Sequence, residues 1–123
     1  MSYAKSSSRK TVSIVVTTKN SAKFLRNCLQ SIKEQTYKDI QLIVVDNKST
    51  DDTYEIACAY TKEVYDQGPE RSAQRNYGLL KKAHGEYAMY VDSDMILSPN
   101  LVESCVKDYV ARRPAGIYVK EIV

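Results

Sequence analysis

The sequence predicts an α/β protein built on a doubly wound, mainly parallel sheet with helices on both faces. Three observations carry that prediction. Short β-branched runs, "TVSIVV", "IQLIVVD" and "EYAMYVD", read as strands buried on both sides. Between them, apolar residues recur every three to four positions, as on one face of a helix. The two kinds of segment then alternate along the chain, the order that right-handed crossovers between parallel strands require.

The opening "MSYAKSSSRK" is small and polar, a flexible arm over residues 1–10 that leaves 11–123 as the domain. "TVSIVV" is the first strand. Phe24, Leu25, Cys28, Leu29 and Ile32 follow the helical rhythm and predict a helix from about Ser21 to Glu34. "IQLIVVD" is the second strand and ends at Asp46. In "STDDT", Ser49 is expected to cap a helix with Asp52 completing a capping box, the helix running through Ile56 to about Tyr60. "KEVYD" is a short third strand. Pro69 suits the first turn of the next helix, with Gly85 at its C-terminal boundary. "EYAMYVD" is the fourth strand. Ser98 and Pro99 open a helix carrying Leu101, Val102, Cys105, Val106 and Tyr109, and "GIYVKEIV" closes the chain as a fifth strand.

At 123 residues the chain suits one domain, and its 43% hydrophobic and 27% charged composition is that of a globular protein. The net charge of +3 comes from scattered basic residues, without the dense stripe of a nucleic-acid groove, so no nucleic-acid partner is expected. No run approaches the ~20 apolar residues of a transmembrane span, and no secretory segment is expected. Cys28, Cys58 and Cys105 are far apart and form no C-x-x-C pair, which argues against both a zinc site and a disulfide framework. They are expected to be buried small apolar residues in a reducing, cytoplasmic compartment. His84, just before Gly85, suits a helix end that tolerates a cation.

In such sheets ligands bind beyond the carboxyl ends of the strands. Polar residues cluster at three of those tips: Thr17, Thr18, Lys19 and Asn20; then Asp46, Asn47, Lys48 and Ser49; then Asp92, Ser93 and Asp94. Neither G-x-G-x-x-G nor a P-loop is present, which argues against nicotinamide, flavin and P-loop chemistry. Asp46 ends its strand like a ribose-binding acid, or else serves the following turn. Asp92 and Asp94, two apart, share a face if the strand continues. Their hard oxygens suit Mg²⁺ or Mn²⁺, which bridge a diphosphate and stabilise it as a leaving group. Eight aspartates in the chain also make a chance D-x-D common, and a solvated acidic turn is the alternative. Arg71 and Arg75, four apart, share a helix face and match phosphate oxygens in fork geometry, unless they pair with Glu70 or Asp66. Gly78 inside that helix costs about 1 kcal/mol relative to alanine and predicts close packing against a neighbour.

The blocks "SIVVTTKNSAKFLRNCLQSIKEQTYKDIQLIVVDNKSTDDT" and "RSAQRNYGLLKKAHGEYAMYVDSDMILSPNL" resemble the nucleotide-binding half of family 2 inverting glycosyltransferases, which have the A-type, Rossmann-like fold. The resemblance runs from about Thr11 to Leu101 and keeps the blocks in order. It implies a nucleotide-diphosphate sugar donor, a divalent metal, and a glycan, lipid or protein acceptor. It places Thr17, Thr18 and Asn20 in the first nucleotide loop, and Asp46, with Asn47 and Ser49, against base and ribose. Arg75 falls near the diphosphate, with Arg71 second to it. Asp92, Ser93 and Asp94 form the D-x-D segment, in which the family's last aspartate typically ligates the metal and the first lies by the sugar or ribose; both are taken as candidate metal ligands. Lys19 departs from the family's usual aromatic residue. Glu103, Asp108 and Glu121 match no general-base motif, so the base is expected beyond Val123 and the domain is expected to be truncated. Such a chain would bind donor and transfer poorly. The alternative is a non-catalytic nucleotide-sugar-binding or assembly module. A nucleotidyltransferase is disfavoured because "TTKNS" holds no glycine. An uncovered sheet edge predicts self-association.

Overall fold

A computed structural model describes residues 11–112; the arm and the expected fifth strand lie outside them. The elements are β1 (Val12–Thr18), α1 (Ala22–Lys33), β2 (Ile40–Asp46), α2 (Thr53–Tyr60), β3 (Val64–Asp66), α3 (Arg71–Asn76), β4 (Tyr87–Asp92) and α4 (Leu101–Arg112). A π-helical stretch, Tyr77–Lys82, continues directly from α3. The four strands lie in the order β3-β2-β1-β4, and every pairing is parallel. The chain steps outward from β1 to β3, then returns to the other side of β1 to lay down β4. Strand order therefore reverses at β1, the position where open α/β sheets form their ligand crevice. Register brings the tips level, with Thr18 opposite Asp46 and Thr17 opposite Asp92.

Every residue of β1 is buried, which is why its sequence is nearly continuous in apolar residues. Ile14, Val16, Val44, Met89 and Val91 face a core completed by Leu25 and Leu29 of α1, Ile56 of α2 and Val102 of α4. On the opposite face Val15, Ile43 and Val45 lie under Tyr77 and Leu79 of the π-helical stretch. Helices thus cover both faces. Gly78 makes the second layer possible: a Cβ there would stand 2.5 Å from Cγ1 of Val15. The close approach expected from the sequence is therefore present, and the helix widens to π geometry beside it.

Polar residues inside the sheet are fully engaged. Ser13 donates to Oε1 of Gln41 at 2.5 Å, and the Gln41 amide donates to Glu63 and to the Lys82 carbonyl. His84 contributes its backbone N–H to Gln41, and Gly85 donates its own to Ser13. Gln35, also buried, accepts from the Val102 N–H and so satisfies the start of α4. No buried side-chain nitrogen or oxygen lacks a partner among the described residues.

Several expectations are corrected. The second helix begins at Thr53, not at Ser49, because Ser49 is consumed closing the turn after β2. There is no capping box; Asp51 instead receives the Thr53 N–H and hydroxyl, and the Ala22 N–H of α1. Pro69 precedes the third helix rather than entering it, its carbonyl accepting from the Asn47 amide at 2.7 Å. That helical segment ends at Lys82, so Gly85 is not its boundary residue. Glycine is needed at 85 for another reason, since a Cβ would meet the Thr11 carbonyl at 2.5 Å. Cys58 is exposed rather than buried, on the solvent side of α2, whereas Cys28 is buried and Cys105 half-buried. No helix among the described residues is long and apolar enough to cross a membrane.

Candidate functional site

A groove of about 290 Å³ opens beyond the carboxyl ends of β1 and β4. Thr17, Thr18, Lys19 and Asn20 form one wall, Asp92, Ser93 and Asp94 the other, and Arg71 stands at the rim. The structure thus brings seven of the expected site residues to one place. The other four lie around it. Asn47 lines a neighbouring hollow of about 400 Å³ with Lys48, Asp66, Gln67, Gly68 and Pro69. Asp46 and Ser49 are tied to the groove wall by the Thr18 hydroxyl and the Asn20 N–H, and Arg75 lies over the Tyr90 ring with its guanidinium 5.5 Å from the centroid.

Hydrogen bonds between loops hold this arrangement. Asp46, only 2% exposed, accepts from the Thr18 hydroxyl at 2.6 Å, the Ser49 hydroxyl at 2.6 Å and the Ser49 N–H at 3.0 Å. Asn20 adopts a left-handed φ of 49°, a conformation asparagine tolerates. Its N–H donates to Ser49, while its side-chain oxygen accepts from Thr50. The Lys19 ammonium reaches the Asn47 carbonyl at 3.2 Å. The loops after β1 and β2 therefore form one unit.

Gln74 extends that unit. Buried at the inward position of α3, it donates to the carbonyls of both Thr18 and Val45, at 2.9 and 2.8 Å. Sequence reasoning passed over it between the two arginines, since its spacing of three from Arg71 puts it beside them on the helix and gives no local sign of its burial. Ser21 and Phe24 at the start of α1 were also missed as lining residues. Phe24 is 51% exposed there, having been counted with the apolar face.

The two D-x-D carboxylates sit in different surroundings. Asp92 accepts from the Tyr90 hydroxyl at 2.7 Å and faces the Arg71 guanidinium at 3.9 Å. With the Arg71 side chain 71% exposed, that ion pair contributes little in water. Asp94 is exposed and forms no hydrogen bond or ion pair among the described residues. Beneath them, Cys28 approaches the Asp92 carbonyl at 3.7 Å. Burial, with Asp94 and Asp92 adding to it, pushes the Cys28 thiol up to about 12, so it stays protonated. Burial likewise raises the Tyr90 phenol above its usual range and keeps it a donor.

Among the described residues no three His, Cys, Asp or Glu side chains gather as a metal cage. Two carboxylates at the edge of an open groove fit a hard divalent cation that completes its shell with ligand oxygens and water. Lys19 and Arg71 across the groove suit phosphate oxygens. Both signs of charge thus face one space, as a metal-bound diphosphate requires.

Comparison with known proteins gives the family and agrees with the fold. The family model described as Glycosyl transferase family 2 matches residues 13–120. Over 99 residues the chain is 34% identical to Glycosyltransferase GlyG of Streptococcus pneumoniae serotype 4, covering 76% of this chain and 33% of that protein. It is also 34% identical over 105 residues to Glycosyltransferase GlyA of the same organism, covering 80% of this chain and 15% of GlyA. The fold matches Staphylococcus aureus TarS 1-349 in complex with UDP-GlcNAc at a TM-score of 0.74 and 28% identity, covering 84% of this chain and 32% of that one. The chain thus spans 33% of GlyG and a smaller share of GlyA.

Proposed function

The chain belongs to glycosyl transferase family 2, and on that premise we propose that it forms the donor-binding part of an inverting glycosyltransferase that takes a nucleotide-diphosphate sugar. One observation carries the assignment: parallel register sets Thr17 beside Asp92 and Thr18 beside Asp46, so nucleotide-loop and carboxylate residues border one groove at the switch point. The TarS relative, solved with UDP-GlcNAc, supports a UDP-sugar as the first donor to test.

In this proposal Asp92 and Asp94 hold Mg²⁺ or Mn²⁺, which when bound would neutralise charge on the departing diphosphate. The chain's own groups do the remaining work. Thr17, Thr18 and Asn20 border the nucleotide, and Ser93 steadies the carboxylate loop through its hydroxyl contact with Ser21 at 3.0 Å. Arg71 and Lys19 bring positive charge to phosphate oxygens, with Arg75 behind Arg71 on the same helix. Asp46, Asn47 and Ser49 meet base and ribose, the Ser49 hydroxyl turning from Asp46 to open one acceptor position on Oδ1, which keeps its bond from Thr18.

Inversion needs a base to take the acceptor's proton. Glu103 is poorly placed for it, since its carboxylate accepts from Thr36 and lies 3.4 Å from Lys107. We therefore assign the base and the acceptor contacts to a region outside the described residues, and expect weak transfer by residues 11–112 without it. Cytoplasmic location and pairing along the outer edge of β4 belong to the same proposal. The former is supported by free thiols at Cys28, Cys58 and Cys105, and the latter by a strand that pairs only with β1 among the described residues.

Calorimetric titration of UDP and of GDP, each with and without Mn²⁺, tests the donor site. Metal-dependent binding that disappears in Asp94→Ala is expected. No binding of either nucleotide, or equal binding by that variant, would overturn the assignment and favour a non-catalytic assembly module.

A further inference from the structure

The geometry points to Tyr90 as a positioning residue that sets the Asp92 carboxylate before any ligand arrives, an inference that rests on the donor-site assignment. Tyr90 stands two residues before Asp92 on β4, so both side chains leave the same face of the sheet. That face is covered over β1 and β2 by Tyr77 and Leu79, whereas Tyr90 is only half-buried, with the Arg75 guanidinium across its ring. Its hydroxyl is 2.7 Å from Oδ1 of Asp92 and 3.0 Å from Oγ1 of Thr17. A carboxylate only accepts, so the phenol's one proton goes to Asp92, and Thr17 donates to the phenol oxygen. The result is a relay of donors, Thr17 to Tyr90 to Asp92, running between the two strands that border the groove.

This relay separates the roles of the two aspartates. Asp92 is fixed by a donor on its own strand, with Arg71 of α3 adding only a solvent-screened charge, while Asp94 remains free to follow a cation. Arg75 consequently acts through Tyr90: it holds the ring, the ring's hydroxyl holds the carboxylate, and the phosphate-facing cation of the pair is Arg71. Removing the hydroxyl leaves ring and stacking in place and lets Asp92 rotate.

The test is calorimetric titration of UDP with Mn²⁺ into the wild-type chain, Tyr90→Phe, Asp92→Ala and the double variant, with thermal unfolding of each. Tyr90→Phe is expected to weaken binding about tenfold, the loss of one charge-assisted hydrogen bond, with a lowered unfolding midpoint, since Thr17 loses its acceptor, that still leaves the chain folded at the assay temperature. In the Asp92→Ala background the same substitution is expected to cost less than about twofold, because the group it acts on is gone. Losses that multiply, or Tyr90→Phe binding like wild type, would overturn the positioning role and leave the donor site standing. Failure of the wild type to bind would remove both.

Discussion

Replacing Gly78 with alanine tests the packing that holds the second layer on the sheet. In an isolated helix the change would stabilise by about 1 kcal/mol. Here the new methyl carbon would stand 2.5 Å from Cγ1 and 3.1 Å from Cγ2 of Val15, and 3.3 Å from Cγ2 of Val45. Both valines are fully buried on the two central strands, and a β-branched side chain is restricted at χ1 and has little room to retreat. The overlap must therefore be relieved by moving the helix off the sheet, placing the penalty near the upper end of the ~1–3 kcal/mol typical of overpacking. Subtracting the propensity gain leaves a net destabilisation of about 2 kcal/mol, a fall in melting temperature of about 8 °C or more for a domain this size. Thermal and urea unfolding followed by circular dichroism would measure it. Val15→Ala opens room for the methyl, so the double variant should lose at least about 1 kcal/mol less than the sum of the single losses. An unchanged or raised melting temperature in Gly78→Ala alone would refute the argument.

Three other outcomes are expected. Alkylation at pH 8 followed by mass spectrometry should modify exposed Cys58 and spare Cys28, whose thiol lies near 12; early labelling of Cys28 in the native chain would contradict its burial. Hydrogen bonding from Thr53 holds Asp51 below its usual range, so its contribution is present above the unfolded carboxylate pKa and is lost as pH falls through the lower folded value. Asp51→Asn should accordingly flatten the acid limb of a stability-versus-pH curve, and a parallel curve would remove Asp51 from that role. Lys48→Gly should raise stability by about 0.5–1 kcal/mol in urea unfolding, because Lys48 is held at a left-handed φ of 45° that glycine adopts freely; a loss would show that the lysine side chain outweighs the strain.

What the sequence revealed divides by range. Strand limits were legible where burial on both faces leaves no choice of residue, so β2 ends at Asp46 as expected. The clustering of strand-tip polar residues followed from topology, and Gly78 announced its contact by being costly in a helix. Features that depend on a partner distant in sequence were hidden. Ser49 has the same local credentials as a helix cap, but Asp46 and Asn20 claim it. Gln74 and Tyr90 look like ordinary helix and strand residues until the carbonyls of Thr18 and Val45, or the hydroxyl of Thr17, are brought beside them. The π-helical widening had no local signal either; it lies where Gly78 passes close over Val15.

The placement of β4 beyond β1 also sets the order in which the molecule can be assembled. Strands β1, β2 and β3 are complete in the first 66 residues and can pair as they emerge from the ribosome. Thr17 must then wait for a strand whose Tyr90 lies 73 residues further along. Until β4 arrives, one side of the central strand is an open edge and the two halves of the groove belong to different stages of synthesis. Nascent chains stalled before Tyr87 should therefore hold the stitched loops around Asp46 yet lack the far wall of the groove, so that the proposed donor site would form late in the life of the chain.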